Sequence, residues 1–142
     1  MRYFTILAGL LLTTALLGCG DGLIPIKTAP VDGVVKFDGK APENYRIYFY
    51  CEQAAAKESS SALIASDGTF RVTTRVQGDG AIVGLNQIWF SWDPPVPPSD
   101  SEEWNPPTPT LKIPEKYLSR ESSGLSVEVT NSGLKDYSID LK

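Results

Sequence analysis

Catalysis needs side chains that move protons or attack electrophiles, and this chain of 142 residues contains no histidine. Ser-His-Asp and Cys-His nucleophilic systems, HExxH zinc sites and histidine-based metal clusters are therefore excluded by composition. The remaining candidates are sparse. Lys57 lies close to Ser59, Ser60 and Ser61, but the segment is polar and offers nothing to desolvate the amine, so it reads as a solvated connection. Glu102 and Glu103 are adjacent, and sequence neighbours do not readily face each other across a substrate as acid and base. Asp93, Asp100, Glu102 and Glu103 form an acidic set without the spaced Asp/Asn and Gly of a calcium loop, so no metal and no cofactor is expected. "GDGAIVG", Gly78 to Gly84, has one residue too many before its last glycine for a dinucleotide loop and leads into a β-rich run, which lacks the helix dipole that holds phosphate. Cys51 shares strand parity with Ile47 and Phe49 and reads as a small buried core residue. No residue is assigned a catalytic role.

The chemistry left standing is aromatic. Tyr48 and Tyr50 fall on the strand face opposite Ile47 and Phe49, Trp89 falls on the equivalent face of another run, and Trp104 sits in a proline-rich segment. Large flat rings with a polar edge suit an envelope protein partner or a glycan, so these four are the candidate contacts. The competing reading is that the rings pack on one another beneath the proline-rich segment.

Cys19 is a different kind of site. Arg2 supplies a positive n-region, Tyr3 to Leu17 are an apolar run too short to span a bilayer as a helix, and small Gly18 precedes the cysteine. Leu16-Leu17-Gly18-Cys19 resembles a bacterial lipobox, with Leu17 bulky for its position. That resemblance implies a signal peptide over 1–18, a diacylglycerol on the Cys19 thiol and a further acyl chain, such as palmitate, on the amine that cleavage frees. Two or more chains hold a protein on a membrane where one holds it only marginally. The alternatives are a Cys19–Cys51 disulfide and a plainly secreted or inner-membrane-anchored form. Gly20 after the cysteine leans toward outer-membrane sorting and Asp21 weakens that lean, so the expected location is the cell envelope, periplasmic or surface-facing. Without Arg2 the processed chain carries 12 basic against 17 acidic side chains, and nucleic acid is not an expected partner.

These residues need a scaffold to hold them. Residues 19–30 carry Gly20, Gly22, Pro25 and Pro30 with no sustained period and read as a tether; extended at roughly 3.3 Å per residue, it would hold the domain a few nanometres off the membrane. From Val31 to Lys142, "VDGVVKF", "YRIYFYCE", "SALIAS", "TFRVTTR", "GLNQIWFSW", "GLSVEV" and "KDYSIDL" are seven runs rich in β-branched and aromatic residues, and no amphipathic helix of three turns is visible. Asp38-Gly39, Asp67-Gly68 and Asn131-Ser132-Gly133 suit tight hairpin turns. Alternation assigns Ile47, Phe49 and Cys51, Phe70 and Val72, Ile88 and Phe90, Leu125, Val127 and Val129, and Tyr137, Ile139 and Leu141 to the core. The expected fold is all-β, a seven-stranded antiparallel β-sandwich. Residues 93–112 interrupt it with 20 residues, seven of them proline, a length that tends to be functional or disordered.

The order of these pieces carries a resemblance. Val31-Asp32-Gly33-Val34-Val35, Asp38-Gly39-Lys40, Ile47-Tyr48-Phe49, then Ile113-Pro114-Glu115-Lys116-Tyr117 and Ser123-Gly124-Leu125 are similar to small bacterial lipoproteins built on a carboxypeptidase regulatory-like domain. The resemblance spans residues 31–142 apart from the insertion, with the lipobox as a second element. It implies a transthyretin-like (Ig-like) sandwich and a non-catalytic structural or interaction role, with membrane contact through the lipid anchor.

Overall fold

The computed structural model describes residues 22–97 and 104–142. Cys19, the signal segment, Asp100, Glu102 and Glu103 lie outside the described residues. Each of the seven β-rich runs contributes a strand, and two two-residue strands join them: β1 (Thr28–Ala29), β2 (Val31–Phe37), β3 (Tyr45–Cys51), β4 (Ser59–Leu63), β5 (Thr69–Arg71), β6 (Ala81–Ile82), β7 (Gly84–Trp92), β8 (Leu125–Val129) and β9 (Leu134–Leu141). Helical structure among the described residues is a 3-10 turn, Glu115–Leu118, and one short helix, α1 (Arg120–Ser123). None of it is long and apolar enough to cross a membrane.

The strands form three open sheets, ordered β4-β3-β7-β8, β5-β2-β9 and β1-β6. Apolar residues facing inward from the two larger sheets share one core: Val35 from β2, Ile47 and Phe49 from β3, Phe70 from β5, Ile88 and Phe90 from β7, and Ile139 and Leu141 from β9. Phe49 of one sheet meets Phe70 of the other with ring centroids 6.2 Å apart. Alternation places the strongly apolar runs correctly. Only Leu125, Val127 and Tyr137, on the edge strands β8 and β9, are half-buried rather than buried, because no further strand closes over them.

The connections differ from the sequence expectation in two respects. First, β2 and β9 pair in parallel, from Val31 opposite Leu134 to Phe37 opposite Leu141, so the fold is not antiparallel throughout. Both strands start at the same end, where the Leu134 N–H donates to the Pro30 carbonyl at 2.8 Å. Second, the three expected hairpin turns are corners between sheets. Asp38-Gly39 is tight, with both residues at positive φ and Phe37 and Lys40 exchanging backbone hydrogen bonds, yet β2 and β3 belong to different sheets. The turns at Asp67-Gly68 and Asn131–Gly133 likewise join strands of different sheets. Tight turn residues specify local reversal, and the inward apolar face on each side decides which sheet the next strand joins.

Gly33 has a packing reason. A Cβ there would lie 2.0 Å from the Tyr137 carbonyl oxygen, beside a bulge in β9 where Asp136 takes φ 54°. The opening "VDGVV" therefore needs glycine for close backbone approach rather than for a turn.

The chain from Ile24 onward is laid onto the domain, so the tether is shorter than its composition suggests. The Arg75 guanidinium donates to the Ile24 carbonyl at 2.8 Å, the Val83 N–H donates to the Lys27 carbonyl at 2.9 Å, and Thr28–Ala29 pairs with Ala81–Ile82. Arg75 is itself held by a two-point ion pair with Glu58. Its turn is fixed by Asp79, whose carboxylate accepts the backbone N–H groups of Thr74, Arg75 and Val76 at 2.7, 3.1 and 3.1 Å.

Burial alone would raise the Asp79 pKa, but the backbone N–H donors outweigh it and hold the carboxyl below its ordinary range. A depressed folded pKa contributes stability that is fully present above the unfolded value of about 3.9 and is lost as pH falls through the folded one. Asp79→Asn is expected to lower unfolding free energy by about 1 kcal/mol at neutral pH, allowing for the site's partial exposure. Urea unfolding measured against pH should show the gap to wild type closing as the solution is acidified below about pH 4. A gap independent of pH would mean the carboxylate is not the acceptor.

Candidate functional site

The outer face of the four-stranded sheet is set by one register. Ile47 lies opposite Phe90 and Phe49 opposite Ile88, both pairs fully buried, so the intervening Tyr48 lies opposite Trp89 on the outside. The Tyr48 and Trp89 rings stack, with centroids 5.1 Å apart and planes inclined by 8°. One pair further along β3, Tyr50 lies opposite Gln87 of β7 and Ser59 of β4.

The segment after the proline-rich insertion folds over part of this face. Pro114 precedes the 3-10 turn, Ser119 caps α1 by accepting the Glu121 N–H, and Gly124 ends it in the left-handed region at φ 64°. The buried Ser123 hydroxyl ties α1 to the Ile88 carbonyl of β7. Held this way, Arg120 lies with its guanidinium carbon 4.4 Å above the Tyr50 ring. Between sheet and helix runs an open groove of about 440 Å³ lined by Tyr50, Ser59, Trp89, Leu118, Ser119, Arg120 and Glu121. The Ser119 hydroxyl hydrogen-bonds the Glu121 carboxylate and holds it below the usual carboxylate range, so the groove presents an anion and a cation side by side at neutral pH.

The structure thus brings Tyr48, Tyr50 and Trp89 together and leaves Trp104 apart. Trp104 is 42% exposed and, among the described residues, neither stacks on another ring nor lines the groove. Tyr50 is covered by Arg120 of α1. The chemistry this permits is recognition: aromatic faces and edges and a serine hydroxyl on the sheet, with a guanidinium, a carboxylate and a second serine hydroxyl on the capped helix above it.

The remaining residues singled out by type occupy structural positions. The Lys57 ammonium donates to the Glu52 carbonyl and is exposed, while the Ser60 hydroxyl bonds that of Thr74 at 2.7 Å inside the fold. Asp93 pairs with Arg46 at 2.7 Å. Gly78 to Gly84 cover the end of the Asp79-held turn, β6 and the start of β7. Cys51 is buried, its Sγ 3.8 Å from the Val83 carbonyl oxygen. Among the described residues no three His, Cys, Asp or Glu side chains gather as metal ligands.

Sequence reasoning missed Arg120. The available signal was the bracket of Ser119 and Gly124 around a four-residue turn, which marks a short capped helix but not what it covers. No protein-family model, curated protein or solved structure matches the chain, so its own residues carry the functional reading.

If Tyr48 and Trp89 stack as observed, a double-mutant cycle with Tyr48→Ala and Trp89→Ala should give a coupling of about 1 kcal/mol in unfolding free energy. Strictly additive effects would contradict the stack.

Proposed function

We propose that this chain is a non-catalytic, lipid-anchored module of the cell envelope that binds a protein partner through the outer face of its four-stranded sheet. The observation that carries this reading is the groove between the Tyr50 and Trp89 rings and the Arg120–Glu121 turn. Aromatic and arginine side chains on a rigid surface are the residue types that dominate protein recognition energetically. The absence of histidine from the sequence supports a binding rather than a catalytic role. The lipobox-like Leu16-Leu17-Gly18-Cys19 supports the anchor, and Gly20 leans toward outer-membrane placement while Asp21 weakens that lean. The seven longer strands are in keeping with a carboxypeptidase regulatory-like, transthyretin-like sandwich, and such a domain would serve as the scaffold for the face.

A protein partner is favoured over a glycan by how the ring faces are used. Sugar stacking needs a free aromatic face, whereas Tyr48 and Trp89 each give one face to the other and Tyr50 gives one to Arg120. The glycan reading draws on the remaining Trp89 surface beside Ser59, Ser119 and Glu121. Trp104, carried on the proline-rich segment, is a second contact that the stiff polyproline backbone would present at low entropic cost.

Cross-linking and affinity capture from envelope membranes tests the proposal. Wild-type protein should recover a discrete partner, and both Arg120→Ala and Trp89→Ala should lose it while the melting temperature of Arg120→Ala stays close to wild type. A glycan-array signal that disappears in Trp89→Ala, with no protein recovered, would transfer the face to the glycan reading. Undiminished capture by both variants would overturn the groove as the site.

A further inference from the structure

The sandwich has one end at which the chain enters, and that end is unusual. Residues 22–30, the Thr74–Asp79 turn, the start of β7 and the Thr130–Gly133 turn all meet there, joined by the Arg75–Ile24, Val83–Lys27 and Leu134–Pro30 hydrogen bonds. Three large apolar side chains stand in solvent on residues 22–30 and the Thr74–Asp79 turn: Leu23 at 64% exposure, Ile24 at 48% and Val76 at 68%, with Leu85 at 48% at the start of β7. Two of them sit on pinned backbone. Val76 sits in the turn whose backbone N–H groups are gathered by Asp79, and Ile24 is fixed to the same turn through Arg75. Apolar side chains grouped on pinned backbone at one end, beside the route to Cys19, offer a contact surface for an apolar partner.

The acids near these side chains are already engaged. Glu58 and Arg75 neutralise each other, and the Asp79 carboxylate is turned inward onto backbone N–H groups. Arg71 lies along Gly78 and lines an open polar recess of about 360 Å³ with Thr73, Gln77 and Gly78. Among the described residues Arg71 forms no ion pair with a carboxylate.

The chain outside the described part says what covers this end. Five residue steps separate Cys19 from Ile24, which at most span on the order of 17 Å. A headgroup layer is roughly 6 Å thick, so an acylated Cys19 would leave the pinned end within a few such thicknesses of the hydrocarbon. We propose that this end rests on the phospholipid bilayer, with Leu23, Ile24 and Val76 among the headgroups and Arg71 against their phosphates. The inference rests on the lipidation of Cys19 and adds to it an orientation. The strands then stand away from the membrane, and the aromatic groove on the outer sheet face opens sideways, along the surface, rather than toward it.

The full chain, processed in its host and purified with its N-terminus intact, tests this in vesicles of phosphatidylethanolamine and phosphatidylglycerol. Spin labels are placed at Val76→Cys and, at the opposite end of the sandwich, at Glu43→Cys, each in a Cys51→Ala background, and mass spectrometry reads the lipid on Cys19. With Cys19 acylated, the ratio of oxygen to water-soluble nickel collision should be severalfold higher at position 76 than at 43, and Leu23→Asp should reduce it. Adding Arg71→Gln should lower the ratio at position 76 in these anionic vesicles; an unchanged ratio overturns the assignment of Arg71. Equal, water-like accessibility at 76 and 43 on an acylated protein overturns the inference while the anchor stands. A Cys19 free of lipid overturns the anchor and the inference together.

Discussion

The antiparallel pairing of β3 with β7 is the constraint on which the rest depends. It runs over seven residue pairs, from Tyr45 opposite Trp92 to Cys51 opposite Asn86. Because strand side chains alternate, that single register sends Ile47, Phe49, Ile88 and Phe90 into the core and Tyr48, Tyr50 and Trp89 to the outside. A one-residue slip of β3 would turn Ile47 and Phe49 outward and bury the Tyr48 and Tyr50 hydroxyls without designed partners, and the same slip of β7 would turn out Ile88 and Phe90 and bury the Trp89 indole N–H. The core and the aromatic face are therefore two consequences of the same ladder, and the burial that stabilises one fixes the geometry of the other.

Around this ladder the chain is organised by its ends. The parallel β2–β9 pair brings the first long strand beside the last, and the Tyr117 hydroxyl donates to the Lys142 carbonyl at 3.0 Å, tying the segment after the insertion to the C-terminus. The two ends of the sandwich consequently differ. One receives the chain from Cys19 and carries the Asp79 and Arg75 clamps; the other carries the Asp38-Gly39 corner and the junctions of the proline-rich insertion. The aromatic face lies between them, on the broad side of the four-stranded sheet. Asn86 is the one buried polar side chain with an orphaned atom among the described residues: its amide donates to the Ile82 and Gly84 carbonyls at 2.7 and 2.9 Å while its Oδ1 has no partner.

Much of this was legible in the sequence because burial imposes a period. "YRIYFYC" and "GLNQIWF" announce which residues face in and which face out, and each of the seven β-rich runs holds a strand. Pairing partners were not legible. Asp38-Gly39 has the chemistry of a hairpin turn and makes one locally, yet the next strand joins the other sheet, a choice made by tertiary burial. The parallel β2–β9 contact joins residues about 100 positions apart and leaves no local trace apart from Gly33, which the close approach of Tyr137 requires. In the site, three of the four aromatic candidates converge because they share a sheet face. Arg120 escaped notice since a four-residue helix has no periodicity, and the pinning of Ile24 escaped because Arg75 reaches it from 51 residues away.

One β3–β7 register both closes the core and presents the aromatic face. Nuclear Overhauser contacts between side chains of the detergent-solubilised protein measure it directly. Strong contacts between the Tyr48 ring and the Trp89 indole, together with Ile47 to Phe90 and Phe49 to Ile88, are expected. Contacts pairing Tyr48 with Ile88 or Phe90, or an indole at position 89 that reports only solvent, would contradict it.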